Sequence, residues 1–395
     1  MTGLRYAHVM AQLLEEVRAG QLRAGSRVPG EVELARRFSV SRVTTRRALD
    51  LLAQAGIVER ARGRGTFVRS ALPDLERARA ELGLPASSGG VTLATIGLLL
   101  PDFADAYGLE LVRGVEEECT ARGHHLLLRR SYGERQAEEA GVAALRRAGA
   151  GALIVFPVHG EHYNPALLQA VLDGYPLVLV DRYLRGIPAP SVVTDNVAAA
   201  QELTAHLLSL GHRDVAFVSP PIEHTTSLED RFAGYGAALA AAGLGLRQEL
   251  VLHALQSTLP LHLEPGNVQD DVLRLREFIA RAPGVTAFVV AEYNLALTVT
   301  HVLRGLGLQV PQDVSVSCFD AAGSPLGGPD FTHIRQGENA IGRRAVALAL
   351  ARLDGQPTPQ REYVPYALVP GASTAPPPAA RPPAPSAPTP GGSPP

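Results

Sequence analysis

The chain contains no lysine, so arginine supplies all 37 of its basic residues. A protein without lysine cannot form the Schiff base of a lysine-dependent enzyme or hold pyridoxal phosphate in the usual way, and it lacks the lysine of a Walker-type phosphate loop. Protein kinases are excluded as well, because they need a lysine on their third strand. Several large classes of enzyme are therefore ruled out by one absence.

Cysteines and long apolar runs are also scarce. Cys119 and Cys318 are the only cysteines, and their separation fits no metal or redox motif, which is typical of a reducing compartment. No apolar run approaches the roughly 18 residues of a membrane-spanning helix, and the first ten residues lack the apolar core of a signal peptide. We expect a soluble cytoplasmic protein with no membrane partner.

Charge is distributed unevenly along the 395 residues. The first 70 residues contain 13 arginines and 6 acidic residues, whereas the other 325 contain 24 arginines and 33 acidic residues. A compact basic unit on a mildly acidic body predicts that a polyanion binds to the first part alone. Hydrophobic residues make up 46% of the chain, enough for two or three domains with real cores.

The first 70 residues show the order of a winged helix-turn-helix. Apolar spacing indicates helices over 4–20, 31–38 and 42–55, and two β-prone arms then flank a glycine-containing turn at 63–65. Ser41 can cap the third helix. Three helices followed by a hairpin predict a DNA-binding domain over residues 1–70.

The third helix carries the side chains that reading DNA requires. Arg42 and Arg46 are four residues apart and share a helical face, with Thr45 on the flank of that face. Arginine can bond to O6 and N7 of guanine, and threonine hydroxyls can bond to phosphates or bases. Arg64, between two glycines at the hairpin tip, is placed to enter a minor groove or to contact phosphate. An ordinary arginine-rich surface is the alternative, and the local charge excess argues against it.

Four motifs in this region are distinctive. They are Gly25-Ser26-Arg27-Val28-Pro29, Glu31-Val32-Glu33-Leu34-Ala35, Val40-Ser41-Arg42-Val43-Thr44 and Gly63-Arg64-Gly65-Thr66-Phe67-Val68. The region 4–69 thus resembles the DNA-binding domain of the GntR family. The resemblance implies operator contacts from Glu31, Arg36, Arg42, Thr44, Arg46 and the wing around Gly65. The family usually has serine before the glutamate, where this chain has Gly30, which can cap a helix but offers no side-chain phosphate contact.

A different texture begins at residue 91. Short apolar runs without strict polar alternation are separated by amphipathic segments as far as residue 370, which predicts parallel sheet covered on both faces. Such a length favours two α/β lobes over one sheet. Residues 71–90, which include Pro73 and a PASSGG segment, are predicted to be a linker. Residues 371–395, with 10 prolines, are predicted to be a disordered tail, although a ligand for a proline-reading domain is an alternative.

Polar residues follow several predicted strands of this body. Ligands of two-lobed α/β proteins bind where the carboxyl ends of strands from both lobes meet, so these residues are candidates for a ligand site. They are Asp181, Arg182, Glu292, Tyr293, Asn294 and Asp320, together with Arg231 near the start of a helix. Carboxylates accept from adjacent hydroxyls and a guanidinium donates to them, so the set suits a polyol. An aspartate after a strand can also serve as a turn former, and Arg231 can also be a solvated surface residue.

The order of motifs in the body is distinctive as well. It runs IGLLLPDFADAYGLELVRGVEEECTARGHHLLL (96–128), VDR (180–182), TDNVAAAQELTAHLLSLGHRDVAFVS (194–219), DRFAGYGAAL (230–239) and FD (319–320). Residues 91–370 are similar to the effector-binding domain of the LacI family, which has a periplasmic sugar-binding fold. The resemblance implies ligand contacts from Tyr107, Asp181, Arg182, Arg231, Tyr293, Asn294 and Asp320. Tyr293-Asn294 stands where the family usually has Asn-Asp, and any ring that stacks on a sugar must be Tyr or Phe, because the chain has no tryptophan.

A GntR-type reader joined to a LacI-type body resembles the arabinose-repressor subgroup. This resemblance implies a homodimer that binds a palindromic operator. Its affinity for the operator is expected to change when a small molecule, expected to be a carbohydrate, closes the cleft. The sequence therefore predicts a transcriptional repressor with no enzyme activity and no cofactor. No metal is expected, since His159 and His162 lack the helical spacing of a zinc pair.

Two alternatives stay open at this point. One is an enzyme built on the α/β body, which would need a nucleophile or an acid–base pair for which we find no local sign. The other is a sugar-binding module without a regulatory role, against which the basic reader argues.

Overall fold

The structure is a computed structural model, and it describes residues 3–18, 20–38, 40–61, 64–84, 94–103, 106–158, 164–260, 262, 264–322 and 330–379. They form two compact units that divide between residues 93 and 94.

The first unit is a winged helix-turn-helix, as predicted. Its elements are α1 (Gly3–Arg18), α2 (Glu31–Arg37), α3 (Arg42–Gln54), β1 (Val58–Ala61), β2 (Gly65–Val68) and α4 (Leu75–Glu81). β1 and β2 pair antiparallel, with Val58 opposite Val68. Apolar residues three or four apart on α1 and α3 meet in one core, and each fully buried leucine such as Leu52 contributes about 1.5–3 kcal/mol.

The segment predicted as a linker contributes to this unit. α4 lies within residues 71–90, and its Ala78, together with Leu84, belongs to the buried core of the winged helix. Residues 85–93 lie outside the described residues. The compact unit therefore extends past residue 70. The many charged residues of α4 hide its apolar side from a reading of the sequence alone.

The second unit has two α/β lobes. The first lobe begins with β3 (Thr95–Leu100), α5 (Leu109–Ala121), β4 (His125–Arg130), α6 (Arg135–Arg147), β5 (Ala152–Val155), α7 (Pro165–Leu172), β6 (Leu177–Val180) and β7 (Ser191–Thr194). The second lobe contains α8 (Asn196–Ser209), β8 (Val215–Val218), α9 (Thr226–Ala241), β9 (Val251–Leu252), α10 (Pro265–Arg281), β10 (Ala287–Val290), α11 (Tyr293–Gly305), β11 (Ser315–Phe319) and β12 (Thr332–Arg335). The chain then returns through α12 (Glu338–Leu353) and β13 (Arg361–Val364) and ends with β14 (Ala367–Val369).

Each lobe is built on a mainly parallel sheet, which confirms the predicted architecture. The described strands follow the order β13-β7-β6-β5-β3-β4 in the first lobe and β14-β12-β11-β10-β8-β9 in the second. β14 is antiparallel to β12, whereas the other neighbouring pairs are parallel. All four residues of β5, β6, β8 and β10 are buried because helices cover both faces.

The chain passes between the lobes after β7, after β12 and after β13, so both lobes share these connections. α12 belongs to the first lobe, where it crosses α5 at close range. A Cβ atom at Gly342 would overlap the carbonyl oxygen of Leu111, and glycine is therefore required where the two helices touch.

The segment after β14 is ordered in part, contrary to the prediction of a tail disordered from residue 371. The Ser373 hydroxyl donates to the carbonyl oxygen of Val316 at 2.5 Å, and the amide of Thr332 donates to the same hydroxyl at 2.9 Å. The carbonyl oxygen of Ala375 lies 2.9 Å from Nε2 of the buried His212. Residues 371–379 thus extend the second lobe, while residues 380–395 lie outside the described residues.

Candidate nucleic-acid interface and ligand cavity

The start of α3 is fixed by its own residues. Ser41 caps the helix, as predicted, because the amide of Thr44 donates to its hydroxyl at 3.2 Å. Capping by serine satisfies one of the amides that the first turn leaves without a partner. The cap therefore sets which side chains of the first two turns point outward.

All four arginines predicted to contact DNA are exposed. They are Arg36, Arg42, Arg46 and Arg64. The guanidinium groups of Arg36, Arg42 and Arg64 form no ion pair with any residue that the structure describes. Solvated guanidinium groups on one small unit are available to phosphates and to guanine edges.

Glu31 holds Arg46 at the junction of α2 and α3. Nε of Arg46 donates to both carboxylate oxygens at 3.2 and 3.3 Å, and this hydrogen bond raises the pKa of Arg46 above its usual value. Arg60 on β1 lies 3.5 Å from the same carboxylate and 2.8 Å from Asp50. Arg60 was not predicted as part of this surface, because only the β1–β2 pairing brings it beside α3.

The two predicted threonine contacts are not placed on this surface. Thr45 is fully buried, and its hydroxyl lies 3.0 Å from the carbonyl oxygens of both Glu31 and Arg42. Thr44 is also buried, with its hydroxyl 2.8 Å from that of Ser41. A buried hydroxyl needs a hydrogen-bond partner, so Thr45 joins α3 to α2 instead of facing outward.

The wing requires glycine at position 65. Gly65 has a φ of 113°, and a Cβ atom there would lie 3.1 Å from Nε of Arg27. The Arg27 side chain therefore lies along the wing, where sequence motifs did not place it. Gly63, the other glycine beside Arg64, lies outside the described residues.

A polar cavity lies between the two lobes of the second unit. It has a volume of about 170 Å³, and its lining includes Tyr107, Asp181, Arg182, Arg231 and Asp320. An adjoining cavity of about 240 Å³ shares several of these residues. Tyr293 and Asn294 line that second cavity. Each residue that the LacI-type resemblance implied is thus brought to this place by the carboxyl end of a strand or by the segment that follows it.

Asp181 and Asp320 occupy equivalent positions in the two lobes. Each directly follows the last residue of its strand, and each has a φ of 64°. Such left-handed backbone is uncommon outside glycine and is more often seen at functional sites. The Tyr107 hydroxyl donates to Oδ1 of Asp181 at 2.5 Å, so the first-lobe carboxylate is already oriented.

Arg231 is a buried residue, so the alternative of a solvated surface arginine is wrong. Its Nε donates to Oδ1 of Asn196 at 2.8 Å, and its Nη1 donates to the carbonyl oxygen of Ala291 at 2.6 Å. The guanidinium also lies over the ring of Phe319 at 3.9 Å. These contacts fix the guanidinium while Arg231 still lines the cavity.

Asp320 is a carboxyl group that its surroundings alter strongly. Burial raises its pKa from 3.8 to about 7, although the charge of Arg231 opposes this change. Nε2 of Gln336 lies 3.0 Å from both oxygens of Asp320. A carboxyl group with a pKa near 7 that already accepts from an amide can exchange that hydrogen bond for one with a hydroxyl group of a ligand.

Glu292 and Arg182 are two further ionisable residues of the cavity, and both were candidates from the sequence. Burial raises the pKa of Glu292, whose Oε1 accepts from the hydroxyl of Thr258 at 3.0 Å. Burial lowers the pKa of Arg182, which donates to the carbonyl oxygen of Pro157 at 3.0 Å and lies 4.9 Å from the ring centre of Phe156. Glu292 is the second residue after β10, so the signal that selected Tyr293, a polar residue soon after a strand, pointed to it as well.

The arrangement suits a small ligand rich in hydroxyl groups. Carboxylates from both lobes can accept, two arginines can donate, and the rings of Tyr107 and Phe156 offer an apolar face. The described residues contain no group of three side chains that could hold a metal ion, and His159 and His162 lie outside them. None of the helices described is long and apolar enough to cross a membrane.

Two protein families match the chain. Residues 5–68 match the bacterial regulatory proteins of the gntR family, and residues 204–374 match the periplasmic binding protein-like domain. Both matches confirm the resemblances that the sequence motifs indicated.

Curated relatives cover most of the chain. The HTH-type transcriptional regulator PtxS of Pseudomonas aeruginosa is 31% identical over 286 residues, which are 71% of this chain and 78% of that protein. The arabinose metabolism transcriptional repressor of Geobacillus stearothermophilus is 29% identical over 325 residues, which are 80% and 82% of the two chains.

Solved structures share the fold. The transcriptional regulator CelR in complex with cellobiose matches with a TM-score of 0.60 and 24% identity, over 88% of this chain and 100% of that one. The transcription regulator CcpA of Lactococcus lactis matches with a TM-score of 0.62 and 20% identity, over 71% and 99% of the two chains. At these identities the likeness concerns architecture.

Proposed function

The chain belongs to the bacterial regulators that join a gntR-family DNA-binding domain to a periplasmic binding protein-like domain, and we propose that it is a repressor whose operator affinity is set by a sugar or related polyol. It is a DNA-binding transcriptional regulator and not an enzyme. The sugar, the repressing direction and the contacts of individual residues are the proposed part.

One observation carries this proposal. Asp181 from the first lobe and Arg231 and Asp320 from the second line a single polar cavity, in a chain that begins with a winged helix-turn-helix. The names of two relatives support a carbohydrate, since one is an arabinose metabolism repressor and another was solved with cellobiose. We propose that the effector also contacts Tyr107, Arg182, Tyr293 and Asn294.

On the DNA side, we propose that exposed guanidinium groups make the operator contacts. Arg42 and Arg46 would read base edges, Arg64 would enter the minor groove or contact phosphate, and Arg36 would contact phosphate. Glu31 would accept from a cytosine amino group or hold Arg46 in place. Thr44 and Thr45 support α3 from within the unit and are not proposed as contacts.

We further propose that the regulator acts in the cytoplasm as a homodimer. The second unit would bind the effector and the partner copy, and the first unit would read the DNA. Two copies related by a two-fold axis would place two readers on a palindrome, with half-sites about 34–36 Å apart or a multiple of that distance.

Two measurements with the full-length chain test the proposal. Enrichment of short duplexes from a random pool, at low ionic strength, gives the operator sequence. Thermal unfolding with L-arabinose, D-galactose, cellobiose and gluconate then shows which compound stabilises the second unit. We expect the stabilising compound to weaken the enriched duplex in a gel-shift titration. A chain that enriches no duplex contradicts the DNA-binding assignment, and one whose duplex affinity ignores every stabilising compound contradicts the proposed regulation.

A further inference from the structure

The recognition helix exposes one large apolar side chain. Val43 is the second residue of α3 and is 76% exposed, whereas the two residues that follow it, Thr44 and Thr45, are buried. Exposure of a single valine is unremarkable on most surfaces. Here it occurs in the first turn of the helix whose arginines are proposed to face the DNA.

Val43 lies near the middle of the outward face. Successive helical residues are rotated by about 100°, so Val43 points between the directions of Arg46 and Arg47. Both arginine side chains lie toward neighbouring helices. Arg46 pairs with Glu31 of α2, and the guanidinium of Arg47 lies 4.8 Å from the ring centre of Tyr6 on α1. The valine methyl groups are therefore left at the centre of the face that would approach a base pair.

A valine cannot donate to or accept from a base, so it can recognise only an apolar group. The major-groove edges of the four base pairs offer one such group, the 5-methyl of thymine. We propose that Val43 contacts a thymine methyl in each half-site and thereby sets the base preference at that position. This inference rests on the DNA-binding function of the first unit and adds a specificity determinant to it.

Replacement of thymine by deoxyuridine tests the contact, because it removes the methyl group and leaves base pairing intact. The full-length chain is used with the duplex that it enriches from a random pool, and each thymine is replaced in turn, in both half-sites. We expect one thymine of each half-site at which the replacement weakens binding roughly fourfold, the effect of losing one buried methyl group. Binding is measured by fluorescence anisotropy.

Three variants identify the partner of that methyl group. Val43→Ala should bind the thymine and deoxyuridine duplexes equally, whereas Val43→Thr, which keeps one methyl group, should retain part of the difference. Val32→Ala is the matched control, because Val32 is an exposed valine (46%) on the neighbouring helix α2, and it should retain the whole difference. Circular dichroism checks that each variant is folded.

The outcomes separate this inference from the function beneath it. An enriched duplex in which every deoxyuridine is tolerated, or in which the penalty persists in Val43→Ala, overturns the assignment of Val43 and leaves DNA binding intact. Failure to enrich any duplex contradicts DNA binding itself, and the assignment of Val43 falls with it.

Discussion

Replacing Asp320 by asparagine should stabilise the second unit at high pH while weakening its ligand site. The pKa of Asp320 is about 7 in the folded chain instead of its usual 3.8, so the folded state favours the protonated form. A group of this kind contributes stability that is fully present below the unfolded pKa and is lost as the pH rises through the folded one. The window of this loss runs from about pH 4 to about pH 7.

The magnitude follows from the same two values. Each pH unit between the unfolded and folded pKa is worth about 1.4 kcal/mol, so ionising Asp320 costs up to ~4 kcal/mol of folding free energy at pH 8. Asparagine is never charged and keeps an oxygen for the amide of Gln336, which bonds to Asp320 in the wild type. Asp320→Asn should therefore raise the free energy of unfolding by about 2–4 kcal/mol at pH 8, and by only about 1–2 kcal/mol at pH 5, where the loss has just begun.

Calorimetric unfolding of the full chain at pH 5 and pH 8 measures this difference. Some pH dependence should remain in the variant, because burial also raises the pKa of Glu338 to about 8 and that of Glu292. Asp214→Asn is the control, since Asp214 is a partly exposed carboxylate paired with Arg247, and it should show no gain at pH 8. An Asp320→Asn variant that is no more stable than wild type at pH 8 would refute the reasoning.

Three further outcomes are expected. Arg42→Ala should weaken binding to the enriched duplex by about 1–3 kcal/mol and relax the base preference at one position. An unchanged affinity in a gel-shift titration would contradict a contact between Arg42 and the DNA. Thr45→Val should lower the free energy of unfolding of the first unit by about 0.5–1.5 kcal/mol, because it removes the hydrogen bond from the buried hydroxyl to the carbonyl oxygen of Glu31, and equal stability in urea would show that the bond contributes nothing. Tyr107→Phe should lower the affinity for the effector about tenfold, since it removes the hydroxyl that orients Asp181, and it should leave the affinity for the duplex unchanged when no effector is present. An effector affinity equal to that of the wild type in isothermal titration calorimetry would argue against this role.

Local patterns were enough to predict much of this molecule. Ser41 marks the start of α3 because capping depends on the side chain of one residue and its nearest amides. Asp181 and Asp320 were recognised because a polar residue directly after a buried strand stands out against its neighbours. The carboxyl ends of parallel strands collect at one edge of a sheet, so strand order was not needed to bring these residues together.

Contacts between distant parts of the chain were not predictable in this way. Thr45 carries the polar character expected of a DNA contact, yet its hydroxyl is used by the carbonyl oxygen of Glu31, fourteen residues away. Arg231 sits among acidic neighbours that suggest a surface, but its partners are Asn196 and Ala291 on other elements.

The start of the C-terminal segment shows the same limit. Composition predicted disorder from residue 371, because proline-rich sequence buries little apolar surface. Ser373 is nevertheless buried, held by the backbone of β11 and β12. These hydrogen bonds depend on where β11 and β12 lie in the fold, which local composition does not reveal.

The central claim is that a ligand in the cavity lined by Asp181, Arg231 and Asp320 controls the affinity of the chain for DNA. The most direct test is the dissociation constant of the enriched duplex, measured with and without a saturating amount of the sugar that stabilises the second unit. We expect the sugar to raise the dissociation constant of the duplex at least tenfold. By reciprocity, the sugar should bind the chain more weakly by the same factor when the chain is bound to DNA. A sugar that binds in the cavity, loses affinity in Asp320→Asn and yet leaves the dissociation constant of the duplex unchanged would contradict the claim.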